Sequence, residues 1–432
     1  MAQPTVRVRI GFTQNTFTLD DLVRGVLDSA ELGGATPLTD VTSDVQSVSI
    51  NRGRSRDTDS FFAGSCSVRL LNNERKYENT NTSSPFSPGI EPMIAIHVDA
   101  TTDGGSNYKD LFVGFVTDIN LSYPDKNNSF ADFVASDAFM KLANTSLINA
   151  SFSSTDSGTL VNNVLDNANV KFGADRDIET GISTMQSLSG LSENTLSVLQ
   201  NIERSENGLL FMSKDGKLTF KSRHTTFPST PDATFSDDGS DIPYLRVDYI
   251  NDDNEIFNIV SLQRNGGSTQ TVQDVGSQGK YLIRTLNRTG LLNNSDTEVL
   301  DAANFLLGKF KDALIRFDNL IVDLTEATTG NQNSILDREV GDVVKVELTP
   351  PGSGSPAQIT SNEIIDSISY NITPNIFTCA VLLFLPIVQL GTHKLHHRLK
   401  VSFVIWPTVM CFSYTEEAAG QIILVRAILV LL

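Results

Sequence analysis

Apolar and polar residues alternate along TVRVRIGF (5–12) and DVQSVSIN (44–51), the period of a strand with one buried face. GSCSVRLLNN (64–73) continues the pattern and stops on two asparagines. PMIAIHVDA (92–100) and LFVGFVTDINLSY (111–123) are β-rich runs on either side of the turn-forming TTDGGSNYKD (101–110). FADFVASDAFMKLAN (130–144) closes this stretch with a strand and a short helical turn. A first β-rich domain over residues 1–148 follows.

The period then changes. Leu160, Val161, Val164, Leu165 and Ala168 recur at helical spacing, with Thr155 or Ser157 as the N-cap. A second helix follows Ser192, with Leu196, Leu199 and Ile202 on one face. In GLLFMSKDGKLTFKSR (208–223), Asp215-Gly216 separates two apolar runs and predicts a type I′ hairpin. Residues 149–235 therefore read as a small α+β insertion.

Strands return over residues 236–375, in YLRVDYI, EIFNIVSLQRN, NLIVDLTEA, EVGDVVKVELTPP and EIIDSISYNITP. Among them lies a helix over 296–315. Ser295 and Glu298 have capping-box spacing, and Val299, Leu300, Ala303, Leu306, Leu307, Phe310 and Leu314 make its apolar stripe. The two β-rich regions also echo each other. PMIAIHV, a Gly-rich turn and LFVGFVTDINLSY match GDVVKVEL, a Pro/Gly/Ser turn and EIIDSISYNITP in layout. A duplicated, barrel-like domain is the expectation from this echo.

Charge narrows the function. A net charge of −18 over 432 residues opposes any role in holding DNA or RNA, because phosphate binding needs basic surface. Three cysteines, Cys66, Cys379 and Cys411, are too few for a disulfide framework. The opening MAQPTVRVRIGFTQ lacks the layout of a signal peptide, so folding in a reducing cytoplasm is expected.

No catalytic constellation stands out. H-E-x-x-H, paired C-x-x-C, the Walker-type loop and G-x-S-x-G are all missing from the sequence. No enzyme, cofactor or metal is expected. His97 sits on an alternating strand and reads as structural; His224 carries no motif. The acidic runs 236–243 and 248–255 miss the calcium-loop register and read as solvated loops. Arg52, Arg54 and Arg56 fall with Gly53 between two strands, and Asp57 and Asp59 follow at once. Local pairing then neutralises the block. A charged loop tip and an intermolecular contact are the two readings left open.

These residues carry a family likeness. Gly53-Arg54, Ala63-Gly64, Leu71-Asn72-Asn73, Tyr77, Asn81 to Pro85, and Leu111-Phe112-Val113-Gly114 together resemble the N-terminal domain of tailed-bacteriophage tail-hub, baseplate-hub or minor tail proteins. DGKLTF, the helix region near 296–315 and the closing strands extend the resemblance to residues 5–375. It implies a mainly β (α+β) fold with two similar β-barrel tube-type domains around a small α+β insertion. It also implies a structural virion part at the tail tip, joining the tail tube and distal tail proteins to a tip or fibre protein. A homotrimer would offer six such domains, matching a sixfold tube to a threefold tip, with DNA passing through unbound. Assembly would take place in the host bacterial cytoplasm. On this likeness Gly53, Gly64 and Gly114 serve tight backbone geometry, Leu71 and Phe112 fill the first barrel, and Arg52, Arg54 and Arg56 lie at a subunit contact. A receptor-binding, adhesin-like tail protein and a tail-associated cell-wall hydrolase are the alternatives.

Residues 376–432 break the pattern. They lack Asp and Asn, hold the only Trp (Trp406), and carry His393, His396 and His397. IFTCAVLLFLPIVQL and VSFVIWPTVMCFSY contain Pro386 and Pro407 and fall short of the roughly 20 apolar residues of a membrane span. The segment reads as an atypical hydrophobic tail: an out-of-frame extension, a docking segment or a membrane-active one. His393 and His397 are four apart, the spacing of a shared helix face.

Overall fold

The computed structural model describes residues 3–12, 38–125, 127–170, 172–173, 175–223, 230–251, 253, 255–313, 316–354 and 356–384. Beyond these it describes three strands between Ser402 and Leu429. Residues 1–386 form one unit and 387–432 another.

The alternating N-terminal runs become strands. They are β1 (Thr5–Ile10), β2 (Thr39–Asp40), β3 (Val45–Gly53), β4 (Phe62–Leu71), β5 (Ala95–Thr101), β6 (Lys109–Ser122) and β7 (Phe130–Ser136). Period two puts Val48 and Ile50, Cys66, Val68 and Leu70, and Ala131, Phe133 and Ala135 on the buried face. Ser65, Ser67 and Arg69 take the solvent side of β4.

The middle region starts with α1 (Phe139–Ala143), β8 (Ala150–Phe152) and β9 (Thr155–Asp156). Then come α2 (Ser157–Leu165), β10 (Arg176–Ile178), β11 (Thr184–Met185), β12 (Leu188–Leu191) and α3 (Thr195–Glu206), before the hairpin β13 (Leu209–Met212) and β14 (Leu218–Lys221). The N-cap of α2 is Asp156, which accepts from Thr159 N, and not Thr155 or Ser157. The hairpin forms at Asp215-Gly216 as predicted, but only Gly216 takes a positive φ, +83°. Ser213 N donates to the Lys217 carbonyl at 2.9 Å and Gly216 N to that of Ser213 at 3.0 Å. That is a three-residue loop with glycine in the left-handed position, not a type I′ turn.

The third region holds β15 (Ala233–Ser236), β16 (Ile242–Pro243), β17 (Arg246–Ile250), β18 (Ile259–Arg264), β19 (Gln270–Gln273), α4 (Val275–Tyr281) and β20 (Thr285–Leu291). After these come α5 (Asp296–Phe310), β21 (Arg316–Asp323), α6 (Thr329–Leu336), β22 (Val343–Leu348), β23 (Ile359–Thr373) and β24 (Ile376–Phe384). Helix α5 ends at Phe310, short of the 315 expected; Leu314 lies outside the described residues. Ser295 caps it by accepting from Glu298 N, but the Glu298 carboxylate turns to Asn294 N and Thr184 N, so the capping box is half formed.

One large sheet joins the first and third regions. Its order runs β2-β1-β5-β6-β7-β4-β3-β23-β22-β15-β16, and β24, β21 and β17 extend from the other side of β23. The long strand β23 is the joint. Its first half pairs with β22, its second half with β3, and β24 runs along its opposite edge. A register shift between Ile365 and Ser367 separates the two halves. The echo seen in sequence corresponds to two antiparallel pairs, β5–β6 and β22–β23, in this same sheet. Among the described residues no strand pairing closes a sheet into a barrel. Residues 376–384, read from sequence as part of the tail, form β24, with Phe377, Cys379, Val381 and Leu383 buried in the core.

Strands β18, β19 and β20 form a separate sheet under α5. In the second unit, β25 (Ser402–Trp406), β26 (Val409–Ala418) and β27 (Gln421–Leu429) form an antiparallel sheet. His393, His396 and His397 lie outside the described residues.

Candidate functional site

The arginine block sits where β3 meets β23, and the structure splits it. Arg52 is on the last turn of strand β3, not in a loop, and only 2% exposed. Its Nη1 donates to Glu339 Oε1 at 2.8 Å. Arg54 is also buried and grips Asp366 with two bonds, Nε to Oδ2 at 2.7 Å and Nη2 to Oδ1 at 3.2 Å. Nη2 reaches Asp57 Oδ1 as well, at 2.8 Å, and the guanidinium lies 4.8 Å above the Phe61 ring. Asp57 in turn pairs with Lys309 at the end of α5. Only Arg56 is exposed. Of the three arginines expected at a subunit contact, Arg52 bonds Glu339 through Nη1, Arg54 bonds Asp366 and Asp57, and Arg56 presents its side chain to solvent.

Burial and pairing set the charges here. Burial opposes the charge on Arg54, but Asp366 and Asp57 outweigh it and hold its pKa above the ordinary value. Burial would raise Asp57, but Lys309 and Arg54 overcome it and hold the carboxyl below its usual range. For Asp366 burial wins over Arg54, and the carboxyl is pushed up. Burial likewise lifts Glu203 to about 7 against the pull of Arg54. The result is a chain of alternating charges from β23 through the β3–β4 connection to α5.

The glycines of the motif have geometric reasons. Gly53 has φ +128°, and a Cβ there would lie 2.2 Å from the Asp366 carbonyl oxygen. At Gly64 a Cβ would stand 2.8 Å from Asp137 Oδ2, which accepts from Gly64 N at 2.6 Å. Burial lifts that Asp137 carboxyl to about 7 even though it accepts from the Gly64 and Phe139 amides. A Cβ at Gly114 would meet the Ser136 carbonyl oxygen at 2.5 Å, and the buried Phe112 ring beside it. Leu71 is half-buried at the end of β4. Asn72 turns the chain: its Oδ1 accepts from Tyr77 N at 3.0 Å, and its carbonyl accepts from Ser129 Oγ. Tyr77 is buried among Phe12, Phe86 and Phe133, and its hydroxyl donates to Asp44.

Two further features bear on chemistry. His97, Asp99 and Asp110 converge closely enough to suggest a metal. Arginines fill the place instead: Arg7 makes two bonds to Asp99, Arg9 Nη2 reaches Asp99 Oδ2 and His97 Nδ1, and His97 Nε2 pairs with Asp110. A cleft of about 420 Å³ opens where the hairpin β13–β14 meets β6 and the end of α6. Its lysines are largely compensated, Lys109 by Asp337 and Lys217 by Asp215, so it is not a basic groove. Lys214 instead caps α6, donating to the Leu336 and Arg338 carbonyls at 2.7 and 3.1 Å. Helix α6, the hairpin and β6 are clamped together by these contacts.

Comparison with solved structures decides the fold. The 43 kDa tail protein of prophage MuSo2 from Shewanella oneidensis superposes with a TM-score of 0.57 at 12% identity, over 89% of this chain and 97% of that one. The chain has the fold of a phage tail protein. The tail protein from Neisseria meningitidis MC58 agrees, with a TM-score of 0.56 at 11% identity over 89% of this chain and 96% of that one. No family model and no curated protein sequence matches. Both superpositions cover 89% of the chain, more than the motif residues alone.

Sequence reasoning found Arg54 and Asp57 but missed Asp366, Lys309, Glu203 and Glu339. The first partner lies 312 positions away along the chain. The one available signal is an acid, Asp366, at a position flanked by Ile364, Ile365 and Ile368 in a strand-forming stretch.

Proposed function

We propose that this chain is a structural subunit of a bacteriophage tail, a hub at the tail tip that joins the tail tube to the tip or fibre apparatus. It acts as a homotrimer whose β-rich regions serve as the tube-type units of a ring, with DNA passing through the centre. It performs no catalysis and needs no cofactor. The observation that carries this reading is the superposition on a prophage tail protein over 97% of that protein's length. The net charge of −18 supports a conduit that does not retain a polyanion. The burial of Arg52 and Arg54 supports it too, because the most basic stretch of the motif is turned away from any ligand. Arg56 is the residue left to contact a neighbouring subunit.

Gold-labelled antibody against the chain, applied to intact phage particles, tests the placement. Label confined to the end of the tail opposite the head is expected. Label along the tube, on the head, or absent from intact particles would refute it.

A further inference from the structure

We infer that residues 257–310 form a lobe that opens from the rest of the main unit as one cooperative piece. This goes beyond the proposed tail role and does not depend on it.

The lobe has its own core. Val260, Leu262, Leu291, Val299, Ala302, Ala303, Leu306 and Phe310 pack together apart from the large cluster that fills the rest of the unit. It also has its own sheet: β18 pairs with β19 and β20 and with no strand of the large sheet. Helix α5 packs on β18 and β19. The neck is closed internally, by Phe257 N donating to the Phe310 carbonyl at 2.8 Å and by the edge-on pair of those two rings.

What holds the lobe to the body is mostly polar. Lys309 pairs with Asp57. Arg288 donates to Asn207 Oδ1 at 3.2 Å and to the Thr58 carbonyl at 3.4 Å. Asn201 Nδ2 reaches the Gly290 carbonyl at 3.1 Å, and Thr184 N reaches Glu298 Oε1 at 3.1 Å. Arg223 lies 5.8 Å over the Phe305 ring. Among the described residues one apolar side chain, Leu292, crosses into the large core; its amide donates to Ser205 Oγ at 2.9 Å, and a backbone bridge joins the next residue, Asn293, to Met185. Polar and charged groups rehydrate when such a junction parts, whereas an apolar interface would expose its whole area to water. A separately cored lobe on a polar junction therefore parts from the body and unfolds as one unit before the main sheet does. Leu292 is the pivot and Lys309–Asp57 the latch.

Hydrogen exchange followed by mass spectrometry on the full chain tests this. The amides of β18, β20 and α5 are expected to exchange together and ahead of those of β3, β4 and β6. Lys309→Met is expected to speed the lobe's exchange by about a hundredfold while leaving the main strands unchanged. Leu262→Ala, inside the lobe core, gives a second reading: lobe protection is lost and the main sheet keeps its own. Exchange of β18, β20 and α5 at unrelated rates would overturn the inference. So would either variant accelerating the main strands as much as the lobe.

Discussion

At the scale of single residues, backbone geometry and buried charge dominate. Gly53 stands where β23 presses on β3, in a conformation that side chains resist. Gly53→Ala is expected to destabilise the chain by about 3 kcal/mol or more, read as a drop in the urea midpoint. Glu363 makes a pH-dependent contribution. Burial lifts its carboxyl from an ordinary value near 4.5 to about 8, more than Ser361 and the Phe317 amide can offset. Between those values the folded chain keeps a proton that the unfolded chain has lost. The stability contributed by the neutral acid is complete below the lower value and is lost as pH rises through the upper one. Glu363→Gln should therefore leave the melting temperature near pH 4 unchanged and raise stability at pH 9 by on the order of 2–4 kcal/mol. A variant with the same pH profile as the parent would show that the group is not protonated in the fold. Arg56 is exposed beside two buried arginines, and the proposed hub role assigns it to assembly. Arg56→Glu should keep the unfolding free energy within about 0.5 kcal/mol of the parent while weakening self-association in sedimentation runs.

At the scale of elements, most strands were legible, because alternation fixes which face of β3, β4 and β7 is buried. The hairpin at Gly216 and the helix capped by Ser295 were legible for the same local reason: turn and cap chemistry is confined to a few neighbours. The pairing of β3 with β23 was not, since two strands over 300 positions apart share no local signal. The same limit hid Asp366, the distant partner of Arg54, and it made a buried ion pair look like a loop tip. Residues 376–384 misled in another way. Their mostly apolar run resembles a tail, but it reflects a strand held between β21 and β23. The clamp at α6 gives an element-scale prediction. Lys214 is half-buried, and its ammonium donates to the last carbonyl of that helix, Leu336, and to that of Arg338 just beyond it. Lys214→Met should cost about 1–2 kcal/mol in equilibrium unfolding. An unchanged midpoint would mean that water replaces the ammonium there.

At the scale of the whole molecule, one large sheet runs through both β-rich regions and makes them a continuous surface. The fold is shared with a prophage tail protein and a second bacterial tail protein over 89% of the chain. The strongly acidic chain suits a ring that passes DNA without holding it. The most direct test of the hub account is electron microscopy of the purified chain at high concentration. The account predicts rings with threefold symmetry around an open central channel. Single particles of one chain at every concentration, or assemblies with no channel, would contradict it.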